Sequence, residues 1–322
     1  MVIRFATAVG LLLLAAPLAA EAQLEKIRRI GYLSASVADA SAGFTAFPTR
    51  LRELGHVEGQ NIVLEIRSAH GRFEALSGLA TELVHLKVEV IVAVGRGTIE
   101  AAQKATTSIP IVMVIAADPV GSGLVKSLAR PGGNITGLTV QYTEISAKRL
   151  QLLKEVVPGL SRVAVLVEPG TRSARIRLSE EEAASALRLQ LKAVDVRSPS
   201  ELDGAFATAA KTGVGAAVVG GPMAFAHRVQ IAQLAIKRRL PTVGPSSEYA
   251  EGGYLMSYGP SYIEHSRRAA DFVDRILKGT KAADLPVEQP TTFYLSINLK
   301  TAKALGLNIS PLLLQQADQV FD

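Results

Sequence analysis

Cysteine is absent from this chain of 322 residues. Disulfides are therefore impossible, a thiol nucleophile is excluded, and so is a lipoprotein anchor, which needs a cysteine at its cleavage point. Tryptophan is also absent, and Phe, Tyr and Trp together make up only 5%. Positive charge exceeds negative by 6, but without concentration. The densest groups, Lys26-Arg28-Arg29, Lys237-Arg238-Arg239 and Arg267-Arg268, sit beside acids or apolar residues. A nucleic-acid surface gathers charge on one face with aromatics between, so no nucleic-acid partner is expected. Long apolar runs are missing as well. Phe5 to Ala16 is apolar, but a span needs about 20 such residues, so the mature chain is not expected to be membrane-embedded. With Arg4 before that run and Ala20-Glu21-Ala22 after it, residues 1–22 read as an export signal cleaved near Ala22. The mature protein is then expected in the periplasm.

What is abundant is short apolar stretches. Apolar residues make up 48% of the chain, enough for a sizeable core, and the length suggests two domains. Strands are expected at Arg29–Ser34, Ile62–Arg67, Val88–Gly95, Ile109–Ala116, Ile135–Val140, Arg162–Val167, Leu189–Val196, Ala216–Gly220 and Thr242–Gly244. Helices are expected between them at 44–54, 73–86, 98–105, 121–129, 145–157, 173–188, 200–211 and 224–238. Runs that are apolar at nearly every position suit parallel strands covered on both faces. Their alternation with helices argues for βαβ units in an α/β fold. Pro48 falls inside a helical pattern and lacks an N–H, so the first helix should begin or kink there. The pattern changes after residue 251, with extended runs at 252–259 and 290–297, a helix at 261–278 and a last helix at 298–305. The chain should cross between its halves more than once.

Catalytic motifs are wanting. There is no G-x-S-x-G elbow. The five histidines are dispersed and never take the H-E-x-x-H spacing, so neither a catalytic set nor a metal site is expected. Gly95-Arg96-Gly97 follows a strand and opens a helix, but the third glycine of a dinucleotide turn is replaced by Glu100, so no cofactor is expected. Small and polar residues cluster instead at strand ends: Ser34-Ala35-Ser36, Gly95-Arg96-Gly97-Thr98, Ala117-Asp118, Glu168-Pro169-Gly170-Thr171, Gly220-Gly221-Pro222 and Ser246-Ser247-Glu248. Open α/β sheets bind ligands outside the carboxyl ends of their strands. Each cluster taken alone equally fits ordinary turn chemistry. Asp118 accordingly reads as a cleft residue that either touches ligand or accepts from N–H groups of its own turn.

Several blocks resemble a known family. They are Leu51-Arg52-Glu53-Leu54-Gly55-His56-Val57-Glu58-Gly59-Gln60-Asn61-Ile62, Asp118-Pro119-Val120 with Ser127 to Gly137, Ser257-Tyr258-Gly259, and Leu285 to Pro290 with Ile297 to Gly306. The chain resembles the ABC-transporter substrate-binding proteins of the TrpX-like type along its whole mature length. That resemblance implies an α/β architecture of the type I periplasmic-binding kind, in which two Rossmann-like lobes, parallel sheets flanked by helices, are joined by hinge strands. Lobe one would comprise 23–141 plus about 252–281, and lobe two 142–251 plus about 282–322. A small molecule, an amino acid or related small carboxylate, would be captured between them and passed to a permease with its ATPase. A sensor docking on a membrane receptor is the alternative. Ser34, Arg96, Gly97, Thr98, Ala117 and Asp118 would face the cleft from lobe one, and Glu168, Gly221 and Glu248 from lobe two, with Tyr258 near a hinge. The family usually has Gly-Thr-Pro where this chain has Gly95-Arg96-Gly97, and Asn-Pro where it has Glu168-Pro169. Arg96 and Glu168 are expected to hold opposite ends of the ligand, to pair across the closed cleft, or to face solvent with little effect.

Overall fold

The computed structural model describes residues 27–35, 42–168 and 173–322. The expected signal segment, Ser36 and Pro169-Gly170-Thr171 lie outside the described residues.

The first sheet is built from β1 (Arg28–Ser34), β2 (Ile62–Ser68), β3 (Val90–Val94), β4 (Ile111–Ala116) and β5 (Ile135–Thr139), in the order β2-β1-β3-β4-β5. All its pairings are parallel. Alternate residues of one strand feed two cores. Ile91 and Ala93 of β3, with Ile111 and Met113 of β4, meet α2 (Leu76–His85) and α3 (Arg96–Ala105). Val90 and Val92, with Val112 and Val114, meet Phe47 and Leu51 of α1 (Ala42–Glu53) on the other face. Period-2 alternation thus becomes invisible in the sequence, because both faces are covered. α1 runs through Pro48 rather than beginning at it.

The second lobe follows the same plan. Its elements are α4 (Tyr142–Val156), β6 (Arg162–Val167), α5 (Ala174–Ala186), β7 (Gln190–Asp195), α6 (Leu202–Lys211), β8 (Ala216–Val219), α7 (Pro222–Ala226), α8 (Arg228–Lys237), β9 (Thr242–Gly244) and α9 (Ser247–Glu251). There follow β10 (Met256–Gly259), α10 (Tyr262–Leu277), β11 (Tyr294–Asn298), α11 (Leu299–Leu305), α12 (Pro311–Gln316) and β12 (Gln319–Phe321). The sheet order is β12-β11-β10-β9-β8-β6-β7, parallel except where β10 meets β11. Val163 and Val165 of β6 face one core, Ala164 and Leu166 the other.

Three expectations are corrected. Residues 121–129 form turns, not a helix: Asp118 Oδ1 accepts from Gly121 N–H, and Ser122 N–H bonds to Asp118 C=O. Gly123 at φ 73° then takes the chain out of helical geometry. The lobe boundaries also move. β10 belongs to the second sheet, whereas α10 packs on the first lobe through Ala269, Phe272 and Val273. Leu285 and Val287 return to the first lobe's cores, and Leu138 bridges to Glu288. The chain therefore passes between lobes at 140–141, 260–261 and 289–293. Finally, the chain continues beyond the last expected helix through α12 to β12, which forms the edge of the second sheet.

β4 and β5 approach so closely at Gly137 (φ 126°) that a Cβ there would lie 2.2 Å from Met113 O. Gly137→Ala is expected to cost about 2–4 kcal/mol in urea unfolding; an unchanged midpoint would contradict this packing.

Candidate functional site

The carboxyl ends of the two sheets face each other across a cavity of about 710 Å³. Its first-lobe wall includes Ser34 at the end of β1, Val94 and Gly95 at the end of β3, and Ala117 after β4. Glu168 after β6, Gly220 and Gly221 after β8, and Pro245 after β9 form the opposite wall. Aromatic side chains from both lobes, Tyr32, Phe44, Phe73, Phe225, Tyr249 and Tyr262, give it an apolar lining.

The lobes stand closed. Asp118 of the first lobe accepts from Ser173 Oγ, 2.9 Å away at the head of α5. The same Ser173 oxygen accepts from Ile176 N–H and caps that helix. Arg175 Nη1 lies 3.7 Å from the Asp118 carboxylate, whose side chain is only 7% exposed. Phe73 packs against the cores of both lobes, and a Cβ on Gly95 would be 3.8 Å from Pro222 of the other lobe.

The ten expected cleft residues divide. Ser34, Arg96, Gly97, Ala117, Glu168, Gly221 and Glu248 line the cavity. Thr98 does not: it is fully buried, and its hydroxyl donates to Gly95 C=O in the first turn of α3. Asp118 does not either, since its oxygens are spent on Gly121 N–H and Ser173. Tyr258 stacks on Phe293 outside the cavity wall, its ring centroid 6.1 Å away. Arg96 and Glu168 both line the cavity, and each has a partner on its own side of it. Arg96 Nε bonds Glu100 Oε1 at 2.6 Å, one turn along α3.

Glu168 reaches to the head of α7, where its Oε1 accepts from the N–H groups of Met223 (2.7 Å) and Ala224 (3.3 Å). Gly221 (φ 113°) leaves the room, because a Cβ there would fall 2.7 Å from Oε1. Burial raises the Glu168 carboxyl to about 7, against the two backbone donors, which pull it down.

Two further charges are not locally satisfied. Arg149 of α4 is 2% exposed and lines the cavity. Its Nε donates to Tyr258 C=O at 2.8 Å and its guanidinium lies over the Tyr142 ring, but its Nη atoms have no acceptor among the described residues. Glu248 of α9 is 9% exposed, and its buried Oε2 has no hydrogen-bond partner among the described residues. Arg149 was missed in the sequence although a signal exists. It sits in the buried stripe Ile145, Leu152, Leu153, Val156, where an arginine has no structural reason to be.

Comparison with known proteins places these features in context. Residues 38–321 match the family model described as ABC transporter substrate binding protein. A tyrosine-binding protein of Clostridioides difficile is 26% identical over 262 residues, covering 81% of this chain and 75% of that protein. A crystal structure from Streptococcus pneumonia in complex with L-Trp is 22% identical, with a TM-score of 0.84 over 92% of this chain and 100% of that one. A ligand-free, open structure of a substrate binding protein with adhesive properties from Clostridium difficile is also 22% identical. It covers 92% of this chain and 99% of that one, at a TM-score of 0.64.

Glu168 generates a pH prediction. Its folded value of about 7 lies above the ordinary 4.5, so folding takes up a proton between the two and stability falls as pH rises through about 7. The neutral isostere Glu168→Gln should remove that loss. Its stability advantage over the parent is expected to grow by about 2 kcal/mol between about pH 5 and 8 in urea titrations; an advantage independent of pH would contradict a buried, raised carboxyl.

Proposed function

Because the chain belongs to the family of ABC transporter substrate binding proteins, we propose that it is the exported, periplasmic solute-capturing component of an importer, taking up an amino acid or related small carboxylate between its lobes. The observation that carries this reading is the cavity itself, walled by strand ends of both lobes and spanned by three connections. Those connections allow the lobes to rotate about a shared edge, as hinge-closing binders do. A ligand enters the open form, rests on one lobe, and is buried when the second closes. Closure also brings together a composite surface that a permease with its ATPase can read. No bond chemistry is assigned to the site. Binding needs only desolvated polar contacts within an apolar cavity of this size. The tyrosine-binding relative and the L-Trp complex support the ligand class. Among the described residues no helix is long and apolar enough to cross a membrane.

Thermal denaturation against amino acids, small carboxylates and aromatic acids tests the reading. A ligand that binds only the folded state, at about 1,000 times its Kd, adds about 4 kcal/mol by mass action and raises Tm. No rise with any member would sink it.

The Asp118–Ser173 bond makes a separate prediction. It forms only when the lobes meet, so Asp118→Ala should favour the open form and speed ligand release on the order of tenfold. Small-angle scattering of the variant should show a larger radius of gyration with ligand absent. An unchanged release rate would show that the bond does not hold the cleft shut.

A further inference from the structure

The charges around the cavity fall into two groups. Arg96 is paired with Glu100, and Glu168 caps α7. Arg149 and Glu248 are different: both are at least nine-tenths buried, both line the cavity, and neither has a counter-ion among the described residues. Burying an ionised group without a partner is costly, and a lone buried charge normally finds one or is selected away. Two such charges of opposite sign in one cavity could satisfy each other, yet they form no ion pair. They nevertheless lie near each other: a Cβ on Gly259 would fall 1.9 Å from Pro245 C=O and 3.2 Å from Arg149 Nη2, so Arg149 stands beside the turn that leads from Pro245 into α9 and Glu248. A ligand that carries both a negative and a positive group would answer both.

Resting on the binding reading above, we propose that Arg149 and Glu248 are the two poles of a zwitterion site carried wholly by the second lobe. The ligand's carboxylate lies against the free Nη groups of Arg149, which can hold it bidentately. Its ammonium lies against the Glu248 carboxylate. Arg149 is held in place by its Nε bond to Tyr258 C=O on β10, and Glu248 by the short helix α9, so both poles are set before closure. The second lobe therefore captures the charged head in the open form. The first lobe contributes the apolar walls Tyr32, Phe44 and Phe73, which cover the ligand's body on closing. Ligands with only one of the two charges leave the other pole buried and unpaired, which discriminates against them strongly.

The test compares three charge forms of the same bodies: the common L-amino acids, the amines lacking their carboxyl group, and the acids lacking their amino group. In thermal shift and calorimetry the zwitterions are expected to bind, and loss of either charge to weaken binding on the order of thirtyfold. Acids or amines that bind as well as their zwitterions would overturn the proposal and leave the binding-protein reading standing. No response from any of the three forms would overturn both. Glu248→Gln keeps the side chain's shape. It should weaken the zwitterion on the order of thirtyfold, leave the deaminated acid unchanged, and not lower the Tm of the unliganded protein. Arg149→Lys should weaken the zwitterion and leave the amine unchanged. If Glu248→Gln instead lowers Tm with zwitterion affinity intact, Glu248 is structural and the proposal fails.

Discussion

An ionised group taken out of water must be given a partner, and this constraint shapes the cleft. Three solutions to it stand side by side. Arg96 takes the nearest carboxylate, Glu100, one helical turn away on α3. Glu168 takes the N–H groups at the head of α7, and burial still raises it to about 7. Arg149 and Glu248 take neither route and line the cavity with no counter-ion among the described residues. The first two solutions close a local problem. The third leaves one open, and a cavity lined otherwise by aromatic and aliphatic groups is where leaving it open has a use.

The chain's path makes such a cavity possible. Parallel sheets place all their strand ends on one edge, with loops that carry little regular structure. Two such edges, turned toward each other, enclose a space that neither lobe forms alone. Three passages join the lobes, rather than one. β10 is central to this arrangement. It is paired with β9 and β11 within the second sheet, it leads directly into the crossing to α10, and its Tyr258 carbonyl anchors Arg149. One strand thus links sheet, hinge and site.

Much of this was legible in the sequence where the cause was local. Nine strands fell close to their expected places because runs such as Val90-Ile91-Val92-Ala93 are apolar on both faces. The failures came where a distant partner or a single side chain decided the outcome. Residues 121–129 have a helical apolar spacing, but the Asp118 carboxylate bonds Gly121 N–H and turns the chain before a helix can start. β10 was expected in lobe one with residues 252–281 but joins the second sheet, since nothing in its own residues says which sheet it pairs with. β12 is three residues long and mostly exposed, so it has almost no hydrophobic signature. Seven expected site residues reached the cavity because strand ends can be located from strands. Asp118 was placed correctly at a strand end, but its partner Ser173 is 55 residues away in the chain and in the other lobe.

Arg96 shows why local and distant pairing compete unequally. Pairing with Glu100 needs only rotamer choices on one helix, whose backbone is already fixed. Pairing with Glu168 would need the lobes closed and two side chains extended across the cavity, with the associated loss of freedom. Glu168 in turn would forfeit the two backbone donors at the head of α7. A strong pair spanning the cleft would also hold it shut without ligand, and closure would then report nothing. The Asp118–Ser173 bond avoids this, because it joins the lobes through a single hydroxyl that also serves as a helix cap.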